Sequence, residues 1–177
     1  MSDKLPSREQ ALKLLTENGC SRNVVSHCLA VAKLALEIAE TLRKKGYNID
    51  LELVEIGALL HDIGRSRTHT VNHVIEGIRI AENESLPKGV VSIIKRHVGG
   101  GITPDEAKTL GWPNDESYVP LTLEEKVVSV ADKLIQGSER VSVELTITQL
   151  CNDAKPEAAE RVRNLHDEIA ALTGDRP

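Results

Sequence analysis

The chain has 177 residues, 40% of them hydrophobic and 28% charged, with a net charge of −5. That length and balance predict one soluble globular domain over residues 1–177. The acidic sign weighs against binding a nucleic-acid polymer, whose phosphates want a basic face. Aromatic residues supply only 2% and Phe is absent. The core must then be Leu, Ile, Val and Ala, which suits packed helices better than a sheet sandwich.

Cys20, Cys28 and Cys151 are an odd number without CxxC spacing. They read as free thiols of a reducing compartment, so a cytoplasmic location is expected. No apolar run approaches the roughly 18 residues of a membrane span, and Met1 to Gln10 is polar, so neither a signal peptide nor a span is expected.

The residues from Met1 to Lys4 read as a frayed end. Ser7 with Gln10 forms a capping-box pattern that opens a short helix to about Asn18, and Gly19 stops it. Ser21 caps the next, in which Val24, Val31, Leu34, Ala35, Ile38 and Leu42 recur at helical spacing to about Lys45. Asp50 opens a third helix through Leu53, Ile56, Leu59 and Leu60. Arg65 to Thr70 is a polar loop. A helix from about Val71 to Glu84 follows, then a restart after Pro87 through Ile93 and Ile94 to His97. Thr103-Pro104-Asp105-Glu106 starts a short helix that ends near Gly111. Trp112 to Pro120 reads as a loop. Thr122 with Glu125 opens an apolar helix running through Leu134 and Ile135. The β-branched stretch Val141 to Leu150 reads as helix in this company, and Pro156 opens a last helix with Val162, Leu165, Ile169 and Leu172 on one stripe. Strand signals are nearly absent, and the expected fold is all-α.

One stretch carries chemistry: Leu59-Leu60-His61-Asp62-Ile63-Gly64-Arg65. Imidazole nitrogen beside carboxylate oxygen suits Zn, Fe, Mn or, less well, Mg. Adjacent residues inside a helix point about 100° apart, so both converge on one ion only near a helix end. Gly64 is the expected stop. The bland alternative is a satisfied His-Asp pair closing a helix.

His27 shares the core stripe of Val31, Leu34 and Ile38; a lone core histidine is more often simply hydrogen-bonded. Asp132 shares a face with Val128 and Ile135. A buried carboxylate needs a partner, either a metal or an arginine such as Arg65, Arg67 or Arg96. His73 lies on the face of Gly77 and Ile80, and Gly77 suggests close approach of another element. His97 ends an apolar helix before Gly99-Gly100-Gly101, which read as open space near a bound anion or as a plain loop. His69 is the fallback for His73. His166 flanks the last stripe and is expected to be solvated.

The ordered set of His27, His61-Asp62 and Asp132, the last in Ala-Asp-Lys, resembles the signature of the HD superfamily of metal-dependent phosphohydrolases. Leu-Leu-His-Asp-Ile-Gly is similar to its HDIG branch, small stand-alone members included. The resemblance covers roughly residues 21–136, with helices over 138–173 packed on it. It implies a single HD-type helical bundle. His73 and His97 stand where dinuclear members place further ligands. By that resemblance His27, His61, Asp62 and Asp132 would hold one ion and Asp62, His73 and His97 a second, the ions being Fe, Mn, Zn, Ni, Co or Mg.

The implied activity is hydrolysis of a phosphoester of a small nucleotide-like substrate, a phosphodiester or cyclic phosphate included. Asp62 and Arg65 would be the catalytic residues. Arg65 replaces the branch's usual Lys, and a guanidinium still clamps phosphate. Motifs of cyclic-di-GMP phosphodiesterases and of guanosine-tetraphosphate hydrolases are missing. The same ligand pattern also serves mixed-valence di-iron oxygenases, and a non-catalytic metal or nucleotide sensor is a third reading.

Overall fold

The structure is a computed structural model that describes residues 4–113 and 117–174. The expected frayed end at residues 1–3 and the middle of the expected loop at 114–116 lie outside it. Nine helices run through the described residues: α1 (Arg8–Glu17), α2 (Arg22–Lys44), α3 (Leu51–Leu60), α4 (His73–Asn83), α5 (Lys88–Arg96), α6 (Pro104–Thr109), α7 (Leu123–Lys133), α8 (Val143–Asn152) and α9 (Pro156–Thr173). Short 3-10 turns cover Ile63–Ser66 and Val98–Gly100. The fold is all-α.

The starts follow local chemistry. Ser7, Ser21, Asp50, Thr103, Thr122 and Ser142 each accept a backbone N–H of the first turn. Each such cap is worth about 1 kcal/mol. Gln10, Glu106 and Glu125 close full capping boxes.

The long α2 is the spine. Cys28, Val31, Ala35, Ile38 and Leu42 on its buried side pack with Leu59 and Leu60 of α3, Val127, Val128 and Ala131 of α7, and Ile169 of α9. Burying each large aliphatic side chain contributes roughly 1.5–3 kcal/mol, and this cluster holds the ends of α3, α5 and α7 around one point. A smaller cluster of Val74, Ala107, Trp112 and Tyr118 closes the far side of α4.

Four details depart from the sequence reading. First, α7 stops at Lys133. Ile135–Gln136 and Glu139–Arg140 then form a two-strand antiparallel hairpin. Gly137, at φ +62°, turns it, since a two-residue hairpin turn needs positive φ. Ile135 prolongs the helical apolar spacing, which hid the break.

Second, Gly64 does not end α3 as a left-handed cap. It lies buried inside the 3-10 turn, where an added Cβ would meet the His73 carbonyl oxygen at 1.9 Å and the Gly77 nitrogen at 2.5 Å. Gly64 is small because the turn and α4 touch main chain to main chain, and Gly77 because α5 closes on it, a Cβ there meeting Ile94 Cγ2 at 2.8 Å.

Third, Gly99, Gly100 and Gly101 leave no open space. All three are buried. A Cβ on Gly100 would lie 3.0 Å from the main chain of Arg161 and Val162, and one on Gly101 2.8 Å from Val119 Cα. All three have positive φ, and α9 packs against Gly99 and Gly100.

Fourth, His166 is buried, at 3% exposure. The inward stripe of α9 is Ala159, Val162, His166, Ile169 and Thr173; Leu165 and Leu172 are its half-buried edges. The apolar stripe of Val162, Leu165, Ile169 and Leu172 lies part of a turn away from this buried face.

Candidate metal centre

Helix ends bring the six expected ligands together. His27 sits in the second turn of α2. His61 caps the C-terminus of α3, with Asp62 directly after it. His73 opens α4, His97 caps α5, and Asp132 lies in the last turn of α7. All but His27 are buried; its side chain is 16% exposed.

The last four carbonyls of a helix lack partners within it. Two of these histidines supply them. His61 Nδ1 donates to Ala58 O at 2.7 Å, and His97 Nδ1 donates to Ile94 O at 2.8 Å. His73 Nδ1 donates to Thr70 O at 2.7 Å, and His27 Nδ1 to Gly137 O at 2.8 Å. A carbonyl only accepts, so every Nδ1 carries a hydrogen. In the neutral ring each Nε2 is then a bare lone pair.

Those four lone pairs face two carboxylates. Asp62 Oδ1 lies 3.1 Å from His73 Nε2 and 3.4 Å from His97 Nε2. Asp132 Oδ1 lies 3.0 Å from His27 Nε2 and 3.4 Å from His61 Nε2. Asp62 Oδ2 is 3.7 Å from His61 Nε2 and 3.9 Å from His27 Nε2, between the two groups. Within this cluster His61 Nε2 and Asp62 Oδ1 are buried without a hydrogen-bond partner. Buried polar atoms left so are costly. Acceptors on every side are the donor set of a cation, and the residues present fit one.

Each carboxylate also holds a cation of the chain on its second oxygen. Arg65 Nε donates to Asp62 Oδ2 at 2.5 Å and Lys133 Nζ to Asp132 Oδ2 at 2.6 Å. Lys133 thus takes the place that the sequence reading offered to Arg65, Arg67 or Arg96. Arg96 instead pairs with buried Glu125 at 2.7 Å, and Arg67 donates to Asn18 O.

The electrostatics follow. Burial opposes charge on both carboxylates, but Asp62, drawn down by His61, His73 and His97, stays well below the usual carboxylate range. Asp132 does the same beside Lys133, His27 and His61. Burial likewise opposes a charged His61, yet Asp62 and Asp132 outweigh it and hold that imidazole above its ordinary value. Burial, with the neighbouring His61 and His73, pushes His97 down to about 4.

One side of the cluster is open. A cleft of about 450 Å³ is lined by Asn23, His27, Asp62, Arg65, His69 and Gly137, among others. His69 is exposed at its mouth. Its carbonyl accepts Arg65 Nη1 at 3.4 Å, and it belongs to none of the clusters of candidate ligands among the described residues.

Sequence reasoning missed two supports. Ser129, fully buried in α7, donates to His97 O at 3.0 Å and ties the end of α5 to the helix of Asp132. A lone serine in the run Val127, Val128, Val130, Ala131 was the available signal. The Gly137 carbonyl had none, because it depends on a hairpin.

Residues 24–136 match the family profile described as HD domain. The chain belongs to the HD-domain family. An uncharacterized protein of Methanocaldococcus jannaschii is 45% identical over 166 residues, 93% of this chain and 97% of that one. A tRNA (cytidine(56)-2'-O)-methyltransferase of Thermoplasma volcanium is 37% identical over 170 residues. The match takes in 96% of this chain and 48% of the methyltransferase, so the chain spans about half the length of that relative. Among solved structures, the HD domain of the L. monocytogenes phosphodiesterase PgpH in complex with cyclic-di-AMP superposes with a TM-score of 0.55 at 18% identity. That superposition covers 93% of this chain and 96% of the PgpH chain, and it supports the HD-domain fold.

Proposed function

We propose that this HD-domain protein is a metal-dependent phosphohydrolase that cleaves a phosphodiester of a small nucleotide-like substrate. The observation that carries the reading is the convergence of four Nε2 lone pairs and two carboxylates beside an open, arginine-flanked cleft. His27, His61, Asp132 and Asp62 Oδ2 would hold one divalent ion, and Asp62 Oδ1, His73 and His97 a second, with Asp62 shared. Bound divalent ions lower the pKa of water and stabilise charge on phosphoryl oxygens.

The chain's own residues do the rest. The backbone carbonyls keep the imidazoles aimed and in one tautomer. Arg65, fastened through Nε to Asp62, presents its remaining N–H groups at the cleft, where a guanidinium can grip two phosphate oxygens. The net charge of −5 favours a small phosphoester over a nucleic-acid polymer. That the PgpH domain is a phosphodiesterase seen with cyclic-di-AMP supports hydrolysis over the oxygenase and sensor readings. A cytoplasmic setting, with its three cysteines free, belongs to the same proposal. Among the described residues no helix is long and apolar enough to cross a membrane.

The test is a screen of bis(p-nitrophenyl) phosphate and nucleotide phosphodiesters without oxygen, using protein loaded in turn with Fe(II), Mn, Zn, Ni, Co and Mg. Turnover that vanishes in Asp62→Ala supports the reading. No hydrolysis with any of these ions overturns it.

A further inference from the structure

We infer that His69 is the proton donor to the leaving group, a catalytic residue distinct from the metal ligands; this rests on the phosphodiesterase reading above. Cleaving a phosphodiester expels an alkoxide, a poor leaving group unless it is protonated. Of the titratable groups in the cleft, His27 and Asp62 belong to the candidate ligand cluster, and Arg65 is a guanidinium, which does not give up its proton in proteins. His69 is left, an exposed residue that also lines the cleft. Imidazole is the side-chain type best suited to donating a proton near neutral pH.

Placement supports the role. Arg65 Nε is fixed on Asp62, and Nη1 of the same guanidinium reaches the His69 carbonyl at 3.4 Å. One arginine therefore spans from the cluster to the loop that carries the histidine. A phosphate gripped by Arg65 would have its inner oxygens toward the cluster and its ester group toward His69.

The step balances. A water oxygen forms the new P–O bond and releases one proton to solvent. The P–O bond to the leaving group breaks, its electron pair staying on the leaving oxygen. That oxygen takes the proton of the His69 imidazolium, and the ring regains one from solvent.

The experiment compares two thymidine 5'-monophosphate aryl esters on metal-loaded protein, one with a p-nitrophenyl and one with a p-methylphenyl leaving group. Nitrophenolate departs without a proton; methylphenolate gains from one. His69→Ala and His69→Gln should lose about a hundredfold on the methylphenyl ester, the scale of general acid catalysis, and only a few-fold on the nitrophenyl ester. Metal content by elemental analysis should match the wild type. Equal losses on both esters, or no loss on either, overturn the assignment of His69 alone. A fall in metal content overturns it too, by making His69 a ligand. If the wild type cleaves neither ester while the screen above finds another phosphodiester substrate, the phosphodiesterase reading stands and the assignment of His69 to aryl leaving groups falls; if the screen finds none, both fall.

Discussion

His73 Nε2 and His97 Nε2 lie 3.1 Å apart, and each ring has already given its Nδ1 hydrogen to a backbone carbonyl. Two lone pairs at that distance repel unless a proton or a cation sits between them. Replacing either histidine by Ala should lower metal content from about two ions per chain toward one, the dinuclear count. Elemental analysis of the purified variants checks it. Unchanged content in both would show that neither histidine holds an ion.

Arg65→Ala should weaken kcat/KM by roughly ten- to a hundredfold, because a charge-assisted phosphate contact is worth about 1.5–3 kcal/mol. Metal content should hold, and Arg65→Lys should recover part of the loss. Steady-state kinetics on whichever phosphoester the screen identifies decides. An unchanged kcat/KM would leave Arg65 as no more than the counter-ion of Asp62.

Gly64→Ala should cost on the order of 3 kcal/mol or more, beyond ordinary overpacking, since the new methyl group meets main chain that cannot rotate away. The displaced partner is the first residue of α4, so loss of the second ion should accompany the lower stability. Chemical denaturation and metal analysis together test this. A variant with native stability would mean that the turn can back away from α4.

Arg96 and Glu125 form a largely buried pair in which Glu125 also accepts the N–H groups of Leu121 and Thr122. Arg96→Ala strands that carboxylate and should destabilise the fold by about 3 kcal/mol, the low end for breaking a buried pair. A urea midpoint equal to that of the wild type would show the pair to be dispensable.

Glu106 gives the pH prediction. Burial opposes its charge, but the Thr103 N–H and Arg161 outweigh it and hold the carboxyl below its ordinary 4.5. A group with a lowered folded pKa stabilises above its unfolded value and loses that contribution as pH falls through the folded one. E106Q should therefore cost up to about 1 kcal/mol at pH 7, small because the pair is solvent-screened. The difference from wild type should shrink steadily below pH 4.5. Thermal melts across that range measure it.

The helices were legible because their starts are local: Ser7, Thr103 and Thr122 carry their partners three residues on. The membership of the candidate cluster was legible too, because the ordered set of His27, His61-Asp62 and Asp132 stands out even where each residue alone has a plainer use. Their fine geometry was not. What orients His27 is the carbonyl of Gly137, far along the chain and at a turn that apolar Ile135 disguised as helix. The partner of Asp132 proved to be its neighbour Lys133, which spacing rules overlook because adjacent helical residues diverge. His166, Gly99 and Gly100 differ from their sequence reading for one shared reason: whether they are covered depends on α9, whose docking no local pattern announces; Gly101 is closed in by Val119 and Pro120.

The acceptors that orient the histidines are main-chain carbonyls of Ala58, Thr70, Ile94 and Gly137. A carbonyl is present whatever side chain its residue bears. For hydrogen bonding, then, these four positions are free to drift over evolution without altering the tautomer of a single imidazole. The aim of the donor set is inherited through the path of the chain, and descendants can lose much of the surrounding sequence while still presenting the same lone pairs to the same point.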